Sequence, residues 1–175
     1  QTDMCDDMVD VYDYDATMST TTSSYGPIGY ATYNYSYVQT IIDSAHMAGM
    51  TDPITAFAFN ATNTTSSDYY TGMDIYMANV PEADLSSGFI FPNTTTHQFV
   101  QVMSNGNLNF TDVGWQMHSF DTSFTWDGHS NVLFAVNRHH GSWSSSTSFA
   151  AHTTSAIRTR YAYQDSGPVS INDAV

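Results

Sequence analysis

Asp165-Ser166-Gly167 has the residue order of an aspartic-protease loop, where two aspartates share one proton. Asp121-Thr122-Ser123 is its nearest companion and lacks the glycine, and the matching tripeptide stands close to the C-terminus. Glycosidases need two carboxylates facing a cleft. With one glutamate, Glu82, and scattered aspartates, no such pair stands out. Gly-x-Ser-x-Gly, His-Glu-x-x-His and phosphate-binding glycine loops are all missing. The expectation is a protein that is not an enzyme.

Binding chemistry is better represented. Arg138-His139-His140 joins two imidazoles, but neighbours on a strand point to opposite faces, so they make a poor zinc or copper site. His46, His97, His118, His129 and His152 show no ligand spacing. A hard cation wants several oxygens, and Asp3, Asp6, Asp7 and Asp10, continued by Asp13 and Asp15, offer them. Calcium is the ion expected there if any is bound; no cofactor is required. Trp126 and Trp143 are the candidates for stacking on a sugar. Asn34, Asn60, Asn63, Asn93 and Asn109 each open an Asn-x-Ser/Thr sequon, and Asp43-Ser44-Ala45 has the form of a short O-glycosylation signal at Ser44.

The elements that must position these residues are strands. Tyrosine (12) and phenylalanine (10) accompany abundant Thr and Ser, a mixture suited to half-buried sheet. Good helix formers are scarce: lysine is absent and glutamate occurs once. Tyr35 to Ile42 reads as a strand. Ile54 to Asn60 alternates, with Phe57 and Phe59 on one face; Met73, Ile75 and Met77 alternate with Asp74 and Tyr76. Phe99 to Met103 is another strand, with Gly106 marking a turn into Leu108-Asn109-Phe110. Trp115, Met117 and Ser119 alternate with Gln116, His118 and Phe120. Val132-Leu133-Phe134-Ala135-Val136 has no polar break, which predicts a central strand covered on both sides. Ile157, Thr159, Tyr161 and Tyr163 close the series. Pro81 to Leu85, before Gly88, reads as one short helical turn, and Val9 to Tyr14 as a charged strand. Asp127-Gly128 is a tight-turn signal, flanked by Trp115, Phe120, Phe124 and Trp126 as core aromatics. The expected core includes Phe57, Phe59, Ile75, Trp115, Phe124, Leu133 and Phe134. Roughly eight to ten strands at this spacing predict an all-β sandwich of two antiparallel sheets.

Several of these segments resemble the cleaved-adhesin-type jelly rolls of Bacteroidota surface proteins, the family that includes the adhesin domains of gingipains. Tyr35-Ser36-Tyr37-Val38-Gln39-Thr40-Ile41-Ile42 is similar to an early family strand, Ile54 to Phe59 to a second, and Met73 to Met77 to a third. The fullest likeness runs from Gly114-Trp115 through Phe120-Asp121-Thr122-Ser123-Phe124 to Trp126-Asp127-Gly128-His129-Ser130-Asn131-Val132-Leu133. Ser123 departs from the family's proline and Trp126 from its tyrosine. Over residues 25–165 the resemblance implies a jelly-roll sandwich, extracellular placement and an accessory or adhesive role, without a catalytic site.

Residues 1–24 read as an acidic, Ser/Thr-rich lead, suited to assembly or to adding a strand to a neighbour's sheet, and residues 25–175 as the sandwich domain. Seventeen acids against three arginines give a formal net charge of −14, which argues against nucleic acid and anionic lipid as partners. No run of eighteen apolar residues, the length a spanning helix needs, is present. Cys5 is the single cysteine and reads as a spare thiol, and Gln1-Thr2 as a mature N-terminus. The functional expectation is an extracellular or cell-surface structural or adhesive protein, a filament subunit among the options, that associates with itself or with another surface protein. The alternative is a carbohydrate-binding module.

Overall fold

The structure, a computed structural model, describes residues 21–23, 27–29, 32–64, 70–93, 95–139, 147–151 and 154–169. Nine strands follow one another along the described chain: β1 (Thr21–Ser23), β2 (Tyr35–Ile42), β3 (Ile54–Ala61), β4 (Tyr70–Val80), β5 (Val100–Leu108), β6 (Gly114–Phe124), β7 (Asn131–Arg138), β8 (Phe149–Ala151) and β9 (Thr159–Gln164). They form two antiparallel sheets, in the orders β1-β8-β3-β6 and β5-β4-β7-β2-β9. Strand β1 pairs with β8, β2 with β7, β3 with β6 and β4 with β5. The chain is thus one long hairpin wound around a common core, which is the jelly-roll arrangement. Among the described strands, each successive pair lies in different sheets except β4 and β5. Strand β9 extends the larger sheet by pairing with β2.

Alternation in the sequence becomes the two faces of each strand. Met73, Ile75 and Met77 of β4 and Val132, Phe134 and Val136 of β7 point into the space between the sheets. There they meet Phe59, Phe110, Phe124 and Phe149. Phe57 packs on this core with its ring 5.5 Å from that of Phe134. On the other face of β7, Leu133 joins Ile41, Ala78, Val80, Leu85 and Ile90 in a second cluster. Strand β7 is therefore covered on both sides, as its unbroken apolar run requires.

That second cluster exists because Leu85, Ile90 and Phe99, from the one within-sheet connection among the described strands, lie against the outer face of the five-stranded sheet. Gln39 is fully buried beneath them. Its amide nitrogen donates to the Ile90 carbonyl at 2.6 Å and to the Tyr37 hydroxyl at 2.8 Å, while the Ile90 N–H donates to its oxygen at 2.8 Å. Leu85 N–H donates to Ile157 O at 2.7 Å, and Arg160 donates to the carbonyls of Leu85 and Ser86.

The structure corrects several expectations. Pro81–Leu85 is not helical; the one helical turn among the described residues is a 3-10 turn at Ser44–Met47, where Asp43 accepts the Ala45 N–H at 3.0 Å. Gly106 does not end a strand but lies within β5, beside Asn105 at φ 49. A Cβ at Gly106 would stand 2.2 Å from Met103 Sδ, so glycine permits this bulge. The Asp127-Gly128 turn exists, with Gly128 at φ 84, yet it carries the chain from β6 in one sheet to β7 in the other. Strand β1 falls inside the stretch expected to be the lead, so the sandwich begins before residue 25. Three-residue strands such as β1 and β8 are held by backbone pairing and carry too few side chains to show a period. Val9 to Tyr14 lies outside the described residues.

Trp115 is the one expected core residue that faces away from the interior: it is 40% exposed. Strand β6 is the edge of the four-stranded sheet, and its period of two puts Gln116, His118 and Phe120 inward and Trp115, Met117 and Ser119 outward.

Candidate functional site

Two clusters of hydrogen-bonding side chains have the makings of chemistry. Asp74, on the outer face of β4, accepts from His139 Nε2 at 2.8 Å, from the Asn105 N–H at 2.8 Å and from the Gln101 amide at 3.3 Å. The carboxylate thereby holds the β5 bulge to the end of β7. Glu82 meets His97 Nε2 at 2.9 Å. Asn93 Oδ1 already accepts the N–H groups of Thr95, Thr96 and His97. The Asn93 amide nitrogen therefore faces His97 Nδ1, at 2.8 Å, so Nδ1 accepts and Nε2–H is donated to Glu82. The first pair ties the residue after β7 to β4, and the second joins the two ends of the connection between β4 and β5. Neither is legible in the sequence, because the partners are 65 and 15 positions apart with no spacing rule to join them.

The aspartates of the protease-like tripeptides are held far from one another. Asp165 receives the Asn34 N–H at 3.3 Å, beside the β2–β9 edge, whereas Asp121 receives the Ser104 N–H at 2.9 Å, by β5 at the opposite edge. His118 points inward between Phe57 and Phe110, and burial pushes its imidazole below the usual histidine range. Among the described residues, no group of three or more His, Cys, Asp or Glu is placed to hold a metal ion. Asp3, Asp6, Asp7, Asp10, Cys5, His140, Trp143 and His152 lie outside the described residues.

Trp126 is half-buried against the core, and its indole N–H donates to Ser130 O at 2.7 Å. It braces the β6–β7 turn, together with Asp127, whose carboxylate accepts the N–H groups of His129 and Ser130. Although desolvation alone would raise the Asp127 carboxyl, these bonds and the His129 charge hold it below the usual range. Ser44 opens the 3-10 turn, its N–H donating to Asn131 Oδ1 at 2.8 Å. Of the sequon residues, Asn93 is committed to its own turn, and Asn63 accepts the Ser148 N–H at 2.6 Å. Asn60 is the exception in position: it stands on the outer face of β3, directly opposite Trp115.

The two outer faces of the sandwich differ sharply. The five-stranded sheet lies under residues 81–99. The four-stranded sheet turns outward a surface of Asn60, Ala58 and Ala56 on β3, facing Trp115, Met117 and Ser119 on β6 in register. Met117 is 48% exposed. Strand β8 pairs Phe149 with Ala61, so one residue along Ala150 stands beside Asn60, and Thr22 of β1 pairs with Ala150. A row Thr22–Ala150–Asn60–Trp115 thus crosses all four strands, with no charged side chain in it. Its alternation is visible in the sequence, but which face turns outward is not.

All three arginines are engaged within the fold. Arg138 is buried and donates to Tyr33 O, Arg158 pairs with Asp43 at 2.9 Å, and Arg160 holds the Leu85 and Ser86 carbonyls. The Ala45 N–H bond, followed by Arg158, keeps the Asp43 carboxyl below the usual range. With lysine absent, the formal charge offered to a partner is that of the carboxylates, apart from histidine.

Comparison with known proteins finds no matching family model, no matching curated protein and no matching solved structure.

Proposed function

We propose that this chain is a non-catalytic adhesive module of a cell surface or extracellular assembly, engaging its partner through the outer face of the four-stranded sheet. The observation that carries this reading is the asymmetry of the two faces. One is covered by Leu85, Ile90 and Phe99 of the chain's own β4–β5 connection, whereas the other presents Trp115 and Met117, 40% and 48% exposed, on one face of β6. The likeness of residues 25–165 to adhesin jelly rolls supports the same role. Assembly through the acidic lead, residues 1–24, is the filament form of this proposal. The carbohydrate-binding alternative is favoured by one specific juxtaposition, an exposed indole beside an asparagine amide.

The test is retention of fluorescently labelled protein on intact cells of the source organism. Wild type should be retained, and the double variant Trp115→Ser, Met117→Ser should lose at least tenfold. Equal retention of both would overturn the assignment of this face.

A further inference from the structure

We infer that the row Thr22–Ala150–Asn60–Trp115 is a binding site for a neutral oligosaccharide; this rests on the adhesive reading and names its ligand. The row is built like a shelf. Ala56, Ala58 and Ala150 keep its floor low, and Trp115 and Met117 on the edge strand β6 rise beside it. An indole face receives the C–H groups of a pyranose ring, and its 40% exposure leaves area for stacking. The Asn60 amide supplies both a donor and an acceptor, and the Thr22 hydroxyl does the same two strands away. Neighbouring strands are about 4.8 Å apart, so the row spans roughly 14 Å, the reach of a short oligosaccharide rather than one sugar.

Charge selects among occupants. The row is uncharged, and the remainder of the chain carries a net −14 with each arginine bound internally. Acidic glycans and anionic lipids meet repulsion on approach. A second copy brings the same −14 with it, so self-docking on this face is opposed at low salt. A neutral saccharide meets neither barrier and offers hydroxyls to the amide and apolar C–H faces to the indole.

Titration of the whole protein with a panel of neutral tetrasaccharides (gluco-, manno-, galacto- and chito-configured), with a galacturonic tetrasaccharide as the acidic control, tests the inference by calorimetry. At least one neutral member should bind; Trp115→Ala should weaken it at least tenfold, Trp115→Tyr should restore part of the loss, and Asn60→Ala should cost roughly threefold or more. The acidic tetrasaccharide should bind more weakly than its neutral counterpart. No binding across the neutral panel, or binding unaltered in Trp115→Ala, overturns it. Cell retention that depends on Trp115 yet survives periodate destruction of cell-surface sugars would mean a protein partner: the saccharide inference then fails while the adhesive reading stands. Sedimentation showing Trp115-dependent self-association without sugar binding would make the occupant a second copy, and the saccharide inference would again fail while the adhesive reading stands.

Discussion

Gln39 and Ile90, 51 positions apart, exchange two hydrogen bonds through the Gln39 amide and the Ile90 backbone, in a site closed to solvent. This clasp holds the β4–β5 connection on the five-stranded sheet at Ile90, and among the described residues no such segment is clasped to the outer face of the four-stranded sheet.

Replacing Gln39 by leucine keeps the volume and removes both bonds, leaving the Ile90 N–H and C=O without that partner in a dry site. Each unmet backbone group costs about 1–3 kcal/mol, so Gln39→Leu should lose about 2–5 kcal/mol in urea denaturation. A loss below about 1 kcal/mol would mean that residues 81–99 are not held by this clasp.

Trp115 and Phe124 lie on the same strand with opposite fates, one 40% exposed and the other 2%. Phe124→Ala should cost about 3–5 kcal/mol through the cavity it leaves. Trp115→Ala should cost about 1 kcal/mol or less, because a surface truncation removes little packing. Equal costs would contradict the outward placement of Trp115.

Salt should stabilise the protein. At a net charge of −14, with its arginines already engaged, the folded chain repels itself, and added ions screen that repulsion. The urea midpoint should rise from low to molar sodium chloride. A further calcium-specific rise at constant ionic strength is the signature expected of a cation site at Asp3, Asp6, Asp7 and Asp10.

Tyr37 should govern an alkaline transition. Burial pushes its hydroxyl from 10.0 up to about 12, partly offset by the Gln39 bond, with Tyr76 adding a smaller upward push. The folded value lies above the unfolded one, so this contribution is whole below pH 10 and is lost as pH rises towards 12. Stability of the wild type should fall across that window, and Tyr37→Phe should flatten the fall. Identical pH profiles would remove Tyr37 as the cause.

Much of the strand pattern is legible in the residues themselves. Tyr35–Ile42 coincides with β2, and the unbroken run Val132–Val136 lies within the doubly covered β7. A period of two states which side chains share a face, but it is silent on which face is inside until neighbouring strands are placed. Trp115, Met117 and Ser119 can be recognised as one face for that reason, yet the size of the indole suggests the interior and the sheet turns it to the outside. Asp127-Gly128 signals a turn, but local chemistry cannot say whether the next strand joins the same sheet. The Asp74–His139 and Glu82–His97 pairs depend on which loops the winding brings together.

Taken alone, the sequence determined the all-β character, the alternating elements, the charge of −14 and the absence of lysine, because composition and short-range periodicity are properties of the chain itself. Only the tertiary structure decided that strands one to eight pair as a wound hairpin, that residues 81–99 roof one sheet, and that Trp115 and Asn60 meet on the other. Those outcomes depend on contacts between distant residues, whose geometry exists only once two sheets have closed over a shared interior.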